Sequence, residues 1–335
     1  MIIIFVMIAC ERNSIPCSTL SPQSALIPVA VDWSESGLYV AESRNDEDEV
    51  HRLSLRFFPD DGGEPFERYL ESNLNSANIE VPVGSYSVVA INESISDNYW
   101  SSSMTFTDVD SFELFSAELL TDSDSNSAEA LALVAWSLEA FEVTSDMATY
   151  SRGVSGVGDV AVIEQLTEYE QQQMEALLEV VMKPRTRKLT VSVSATNLGS
   201  SQKITASVSG LSMRVNIVTG DTEDNPVVHT FELDSFDYTT RADSDDSGVA
   251  SGDRVCFAHS DDYEDDYTLD LEVNMNDGTT YEDDEQLTSV DVSDQVTSTS
   301  DDDDYLIEHE IELPQIESGS VTLDDWVDGG IVELN

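Results

Sequence analysis

Cys10 follows Met7-Ile8-Ala9 and precedes Glu11-Arg12-Asn13, so a thiol stands where an apolar run ends and a polar chain begins. That is the layout of a lipobox, in which small or apolar residues precede a cysteine that is acylated and becomes the new N-terminus. The spacing predicts lipidation at Cys10, a signal peptide over residues 1–9, and a tether over 10–24 containing Ser, Pro, Asn and Thr. The apolar stretch is short and no Lys or Arg precedes it; a trimmed or misplaced start accounts for both. The competing assignment is a hydrophobic N-terminal strand with an incidental cysteine.

Other reactive side chains are less well gathered. Cys17 and Cys256 remain if Cys10 is acylated, too few for a disulfide framework, and Cys256 in Arg254-Val255-Cys256-Phe257 reads as a small core residue on a strand. Asp122-Ser123-Asp124-Ser125-Asn126 begins like a calcium loop, but Ser127 and Leu133 stand where a glycine and a glutamate are needed, so no metal site is assigned. His51, His229, His259 and His309 are scattered without metal-ligand spacing. No Gly-x-Ser-x-Gly elbow occurs, and Gly153, Gly156 and Gly158 do not make a dinucleotide fingerprint. The reading is of a non-enzyme with no cofactor. Tyr99 and Trp100 are candidate glycan contacts, with Trp326 a further candidate aromatic.

Charge narrows the field. The 335 residues include 14 Lys and Arg against 68 Asp and Glu, a formal net charge of -54. Such a chain repels itself in dilute buffer, and molar salt, which shrinks the screening length to about 3 Å, relieves that penalty. The composition therefore reads as salt-adapted, and it disfavours nucleic acid, which needs a basic surface. Between Asp243 and Asp304 lie 22 acids and one basic residue, Arg254, which reads as solvated loops. The exception is Lys183-Pro184-Arg185-Thr186-Arg187-Lys188, where four of the fourteen basic residues fall in six positions. It is either a linker whose charges offset nearby acids or a docking strip (Lys183, Arg185, Arg187, Lys188) for an acidic neighbour subunit or lipid headgroups. No segment approaches the ~20 apolar residues of a membrane-spanning helix.

The elements that must position these residues are strands. Ile27, Val29, Val31 and Trp33 alternate, as do Leu53, Leu55 and Phe57, then Ile79, Val81 and Val83, the period of a sheet with one buried face. Short strands are expected near Met104–Thr107 and Phe112–Phe115, a loop over 118–129, and a buried strand or helix over Ala130–Val143. Apolar residues at Ile163, Leu166, Met174, Leu177 and Leu178 suit a helix over Val160–Val181 that Pro184 ends. A second run of strands follows, cleanest at Tyr267–Met275, where Asn276-Asp277-Gly278 makes a hairpin turn. The class is mostly all-β: two tandem antiparallel β-sandwiches over 25–184 and 185–335, with one helical connecting segment.

Val31-Asp32-Trp33-Ser34, Leu55-Arg56-Phe57-Phe58-Pro59-Asp60-Asp61-Gly62-Gly63 and Val81-Pro82-Val83-Gly84-Ser85-Tyr86 occur in order. Val208-Ser209-Gly210-Leu211-Ser212-Met213 and Asp325-Trp326-Val327-Asp328-Gly329-Gly330 follow. Together they resemble FimB-type fimbrial anchor lipoproteins of the Bacteroides-type group, over most of residues 26–332. The resemblance implies two transthyretin-like domains, attachment to the outer membrane through lipid, and fimbrial stalk or other surface subunits as partners. Its motifs are structural: Trp33 as a core aromatic, and Pro59, Gly62, Gly63 and Gly84 at turns. The expected function is a lipid-anchored cell-surface protein of fimbrial assembly or adhesion, with a surface glycan-binding lipoprotein as the alternative.

Overall fold

The computed structural model describes residues 24–38, 52–71, 73–93, 100, 102–122, 126–145, 147, 178–239, 247–260, 262–263, 265–281, 287–300 and 303–314. Strand β1 (Ser24–Asp32) shows why alternation becomes sheet here: Ala25, Ile27, Val29 and Val31 are buried, while Leu26 and Asp32 face out. The first half continues with β2 (Arg52–Pro59), β3 (Phe66–Leu70), β4 (Ser76–Pro82), β5 (Gly84–Glu93), β6 (Met104–Thr107), β7 (Ser116–Leu119) and β8 (Val134–Val143). Then come β9 (Leu178–Val181) and β10 (Lys183–Pro184).

Sheets ordered β4-β1-β9 and β10-β8-β5-β2-β3 face each other over a core that includes Ile27, Trp33, Leu55, Phe57, Val88 and Val180. Trp33 is the core aromatic its sequence suggests, with Nε1 donating to the Leu74 carbonyl at 3.1 Å. The β2–β3 hairpin turns at Gly62, whose φ of 80° suits a residue without a side chain.

The second half comprises β11 (Arg187–Thr196), β12 (Ser201–Ser212), β13 (Arg214–Asn216), β14 (Pro226–Glu232), β15 (Ser235–Thr239) and β16 (Ser247–Cys256). After these come β17 (Thr268–Met275), β18 (Thr280–Tyr281), β19 (Val290–Asp291), the short helix α1 (Ser293–Thr297) and β20 (Tyr305–Glu312). Sheets ordered β15-β16-β11-β20 and β14-β12-β17-β18 enclose Leu189, Val191, Ile204, Val208, Leu269 and Ile307. The 277–278 turn forms as its sequence requires. Gly278 takes a φ of 83°, and the Asp277 carboxylate accepts from Thr279, which lowers its pKa. Gly210 is held more tightly. Its φ is 103°, and a Cβ there would lie 2.5 Å from Tyr267 Cδ1, at the bulge where β12 shifts register against β14.

Three expectations are corrected. Leu178–Val181 is not the end of a helix but a strand parallel to β1, with Leu178 and Val180 buried at a period of two; the rest of 160–181 is outside the described residues. Pro184 therefore ends no helix and sits in edge strand β10. Phe112–Phe115 is a turn rather than a strand, and the strand begins at Ser116. The expected antiparallel sandwiches form, and within them β1·β9 and β11·β20 pair in parallel.

Candidate functional site

β5 is buried on both faces. Val88 and Ala90 enter the first sandwich's core, whereas Val89 and Ile91 enter a third core with Phe58, Phe115, Leu133 and Ala135. That third core also takes Val215, Ile217, Val227 and Phe257 from the second half. A small sheet ordered β13-β7-β6 covers it and crosses the boundary, since Val215 of β13 pairs with Ala117 of β7. Each large apolar side chain buried here contributes roughly 1.5–3 kcal/mol. The halves therefore share a hydrophobic core.

Beside this core runs a polar seam. Asn126 and Ser127 lie along the edge of β14, where Ser127 N donates to the Val228 carbonyl at 2.8 Å. Ser127 Oγ lies 2.8 Å from His229 Nδ1, Thr230 Oγ1 donates to Asn126 Oδ1 at 2.9 Å, and Arg254 Nη2 donates to the Ser127 carbonyl at 2.6 Å. Arg254 also donates to the Thr230 carbonyl. Burial, reinforced by the Arg254 charge, pushes the His229 pKa down to about 3, so the ring is neutral. A serine and a histidine at this distance could begin a nucleophilic pair, but Ser127 is 5% exposed and His229 0%. Both side chains are buried, and their contact joins a residue of the first half to one of the second.

On another side the two halves leave a groove of about 870 Å³. Lys183, Arg185 and Arg187 line it with His259 and Thr219, together with the carboxylates of Glu35, Asp221 and Asp262. Lys183 Nζ is 3.8 Å from Glu35 Oε2, both side chains more than half exposed. Arg185 donates through Nε to the Ile217 carbonyl at 2.9 Å and through Nη2 to that of Val218 at 3.3 Å. Burial lowers its pKa, opposed by Asp221, and a Cβ on Gly220 would come within 3.3 Å of Nη1. Arg187 Nη1 donates to the carbonyls of Ser300 and Asp303 at 2.9 and 3.2 Å. His259 Nδ1 lies 2.8 Å from the hydroxyl of Tyr305.

The structure thus divides the predicted strip. Lys183, Arg185 and Arg187 are among the lining residues of the groove, while Lys188 pairs with Asp253 at 3.1 Å and does not line it. Trp100 is half-buried, packing edge-on against Phe106 at 5.7 Å beside the third core. Tyr99, Trp326, Cys10, Cys17 and His51 lie outside the described residues. Cys256 is a free, fully buried thiol whose pKa burial raises to about 12. The Asp122 carboxylate accepts from the Asn126 backbone and side-chain amides at 3.0 and 3.2 Å. Among the described residues no group of three or more His, Cys, Asp or Glu side chains could hold a metal ion, and no helix is long and apolar enough to cross a membrane. Sequence reasoning missed Ser127, His229 and Arg254; their only signal was a histidine on a strand with a lone arginine amid acids.

The fold and its shared interface define a two-sandwich β protein whose halves form one body. The chain spans most of a solved structure of a candidate adhesin from Bacteroides ovatus, with 15% identity, a TM-score of 0.52, and 89% of this chain and 95% of that one covered. It is also similar to a candidate adhesin from Bacteroides thetaiotaomicron, with 13% identity, a TM-score of 0.45 and 88% and 93% covered. The fimbrial anchor protein Mfa2 from Porphyromonas gingivalis matches at 13% identity and a TM-score of 0.42, with 86% and 90% covered. No curated protein sequence matches the chain. The profile of a family described as "Domain of unknown function (DUF5119)" matches residues 9–232, and the chain belongs to that family.

Proposed function

We propose that this chain is a lipid-anchored cell-surface protein of fimbrial assembly or adhesion, acting through protein–protein contacts. The observation that carries the reading is the end-to-end likeness of both sandwiches to the Bacteroides ovatus candidate adhesin. The shared third core adds support, because a subunit that transmits pulling force needs halves that do not swing. Acylation at Cys10 would place the chain on the outer membrane, with residues 10–24 as tether and several acyl chains providing stable anchoring. The net charge of -54 suits a surface that works in brine rather than one that binds nucleic acid. The glycan-binding alternative has less beneath it, because the Trp100 ring is packed against Phe106.

Metabolic labelling with a palmitate analogue should mark the full chain and fractionate it with membranes, and Cys10→Ala should abolish both. A Cys10→Ala chain that still labels would refute the anchor. Affinity isolation of the tagged chain from intact cells should bring polymerising surface subunits with it; their consistent absence would count against the assembly role.

A further inference from the structure

We propose that Gln295 is a built-in guard on the open edge of β20, where its side-chain amide occupies backbone groups that β20 of a second copy would otherwise pair with. The inference concerns self-association and stands whether or not the chain assembles with other subunits. β20 is the last strand of its sheet among the described residues, paired on one side with β11 over Tyr305–Glu312. Such an edge presents a row of backbone donors and acceptors, a template for another strand.

Helix α1 places Gln295 against this edge. Its Oε1 accepts from the Glu308 N–H at 2.8 Å, and its Nε2 donates to the Glu308 carbonyl at 3.2 Å. One amide thus takes the donor and the acceptor that a neighbouring strand would use at that residue. Outward backbone groups recur at every second residue, so those of Leu306 and Glu310 lie on the same side, flanking the guarded position. A second strand cannot lie flush along the edge without displacing Gln295.

The side chains add a guard of another kind. Glu308 and Glu310 are exposed, and Leu306 is more than half exposed. In an antiparallel pair of β20 strands the residues with outward groups meet one another, so the glutamates of the two copies would repel. That repulsion fades in molar salt, where the screening length falls to about 3 Å. With 68 carboxylates against 14 cations, the chain repels itself least under those same conditions. A neutral amide is not screened, so Gln295 keeps the edge closed where charge does not.

The test is sedimentation velocity of the full chain at about 0.1 M salt, a screening length of about 10 Å, and again at about 1 M. The parent chain is expected to stay monomeric in both. Gln295→Met keeps the side chain's length and removes both hydrogen bonds. It should stay monomeric at low salt and self-associate about tenfold more tightly than the parent in molar salt. Gln295→Ser, too short to span both groups, is a second variant with the same expected outcome, and circular dichroism checks that each is folded. Adding Glu310→Pro, which removes an outward N–H, should return either variant to monomer. Thr297→Ala lies on the same helix but loses only a bond to the Ser293 carbonyl, and should behave as the parent. Folded Gln295 variants that stay monomeric in molar salt, or that associate equally at both salts, would overturn the proposal. So would association that Glu310→Pro leaves intact, or a parent chain that associates as its variants do.

Discussion

The seam at His229 and the groove at Lys183 lie along one junction between the same two halves, yet they are built oppositely. In the seam, hydrogen bonds cross between the halves, His229 is wholly excluded from water, and one arginine ties Ser127 to Thr230. In the groove, Lys183 makes one exposed ion pair among the described residues. The difference teaches that polar residues at one boundary can do separate jobs. Buried groups fix the arrangement because leaving them unpaired costs about 1–3 kcal/mol each. Exposed ones contribute little to stability and remain available to a partner.

The largest effect should come from acid acting on the seam. The His229 pKa is about 3 when folded against 6.5 for the free side chain, so the unfolded chain binds the extra proton between those values. Its contribution is complete above pH 6.5 and is lost as pH falls, by about 1.4 kcal/mol per unit. His229→Gln should remove that part of the slope between pH 6 and 4 in denaturant titrations; an unchanged slope would mean that the ring is not buried as described. Arg185→Ala should be intermediate, costing about 2 kcal/mol because two carbonyls lose a charged donor. Lys183→Ala should move the unfolding midpoint least, by less than about 0.5 kcal/mol. If Lys183→Ala cost as much as Arg185→Ala, the distinction between holding and presenting would fail.

Much of the fold was legible because most strands have one wet face. β17 alternates strictly, Leu269, Leu271 and Val273 inward and Glu272 outward, and its turn carries the Asp-Gly that the geometry needs. Legibility fell where burial lost that contrast. β5 reads Val88-Val89-Ala90-Ile91 because both faces are covered, and a continuous apolar run does not say what covers the second face. Leu178 also suits the helical pattern that starts at Ile163, because the four residues of β9 fit either period until a partner strand is known. The seam could not be read at all, since Ser127 and His229 are 102 positions apart and only the fold brings them together. The basic strip was visible, but not that Lys188 would face away from the other three.

The claim that the two sandwiches form one body is tested most directly by scanning calorimetry of the full chain beside Phe115→Ala, a third-core residue. The account predicts a single transition for the parent chain, with calorimetric and van't Hoff enthalpies equal, and the variant's one transition lowered by the ~3–5 kcal/mol expected for emptying a core phenylalanine. Two resolved transitions in the parent chain, with Phe115→Ala shifting only one, would contradict it.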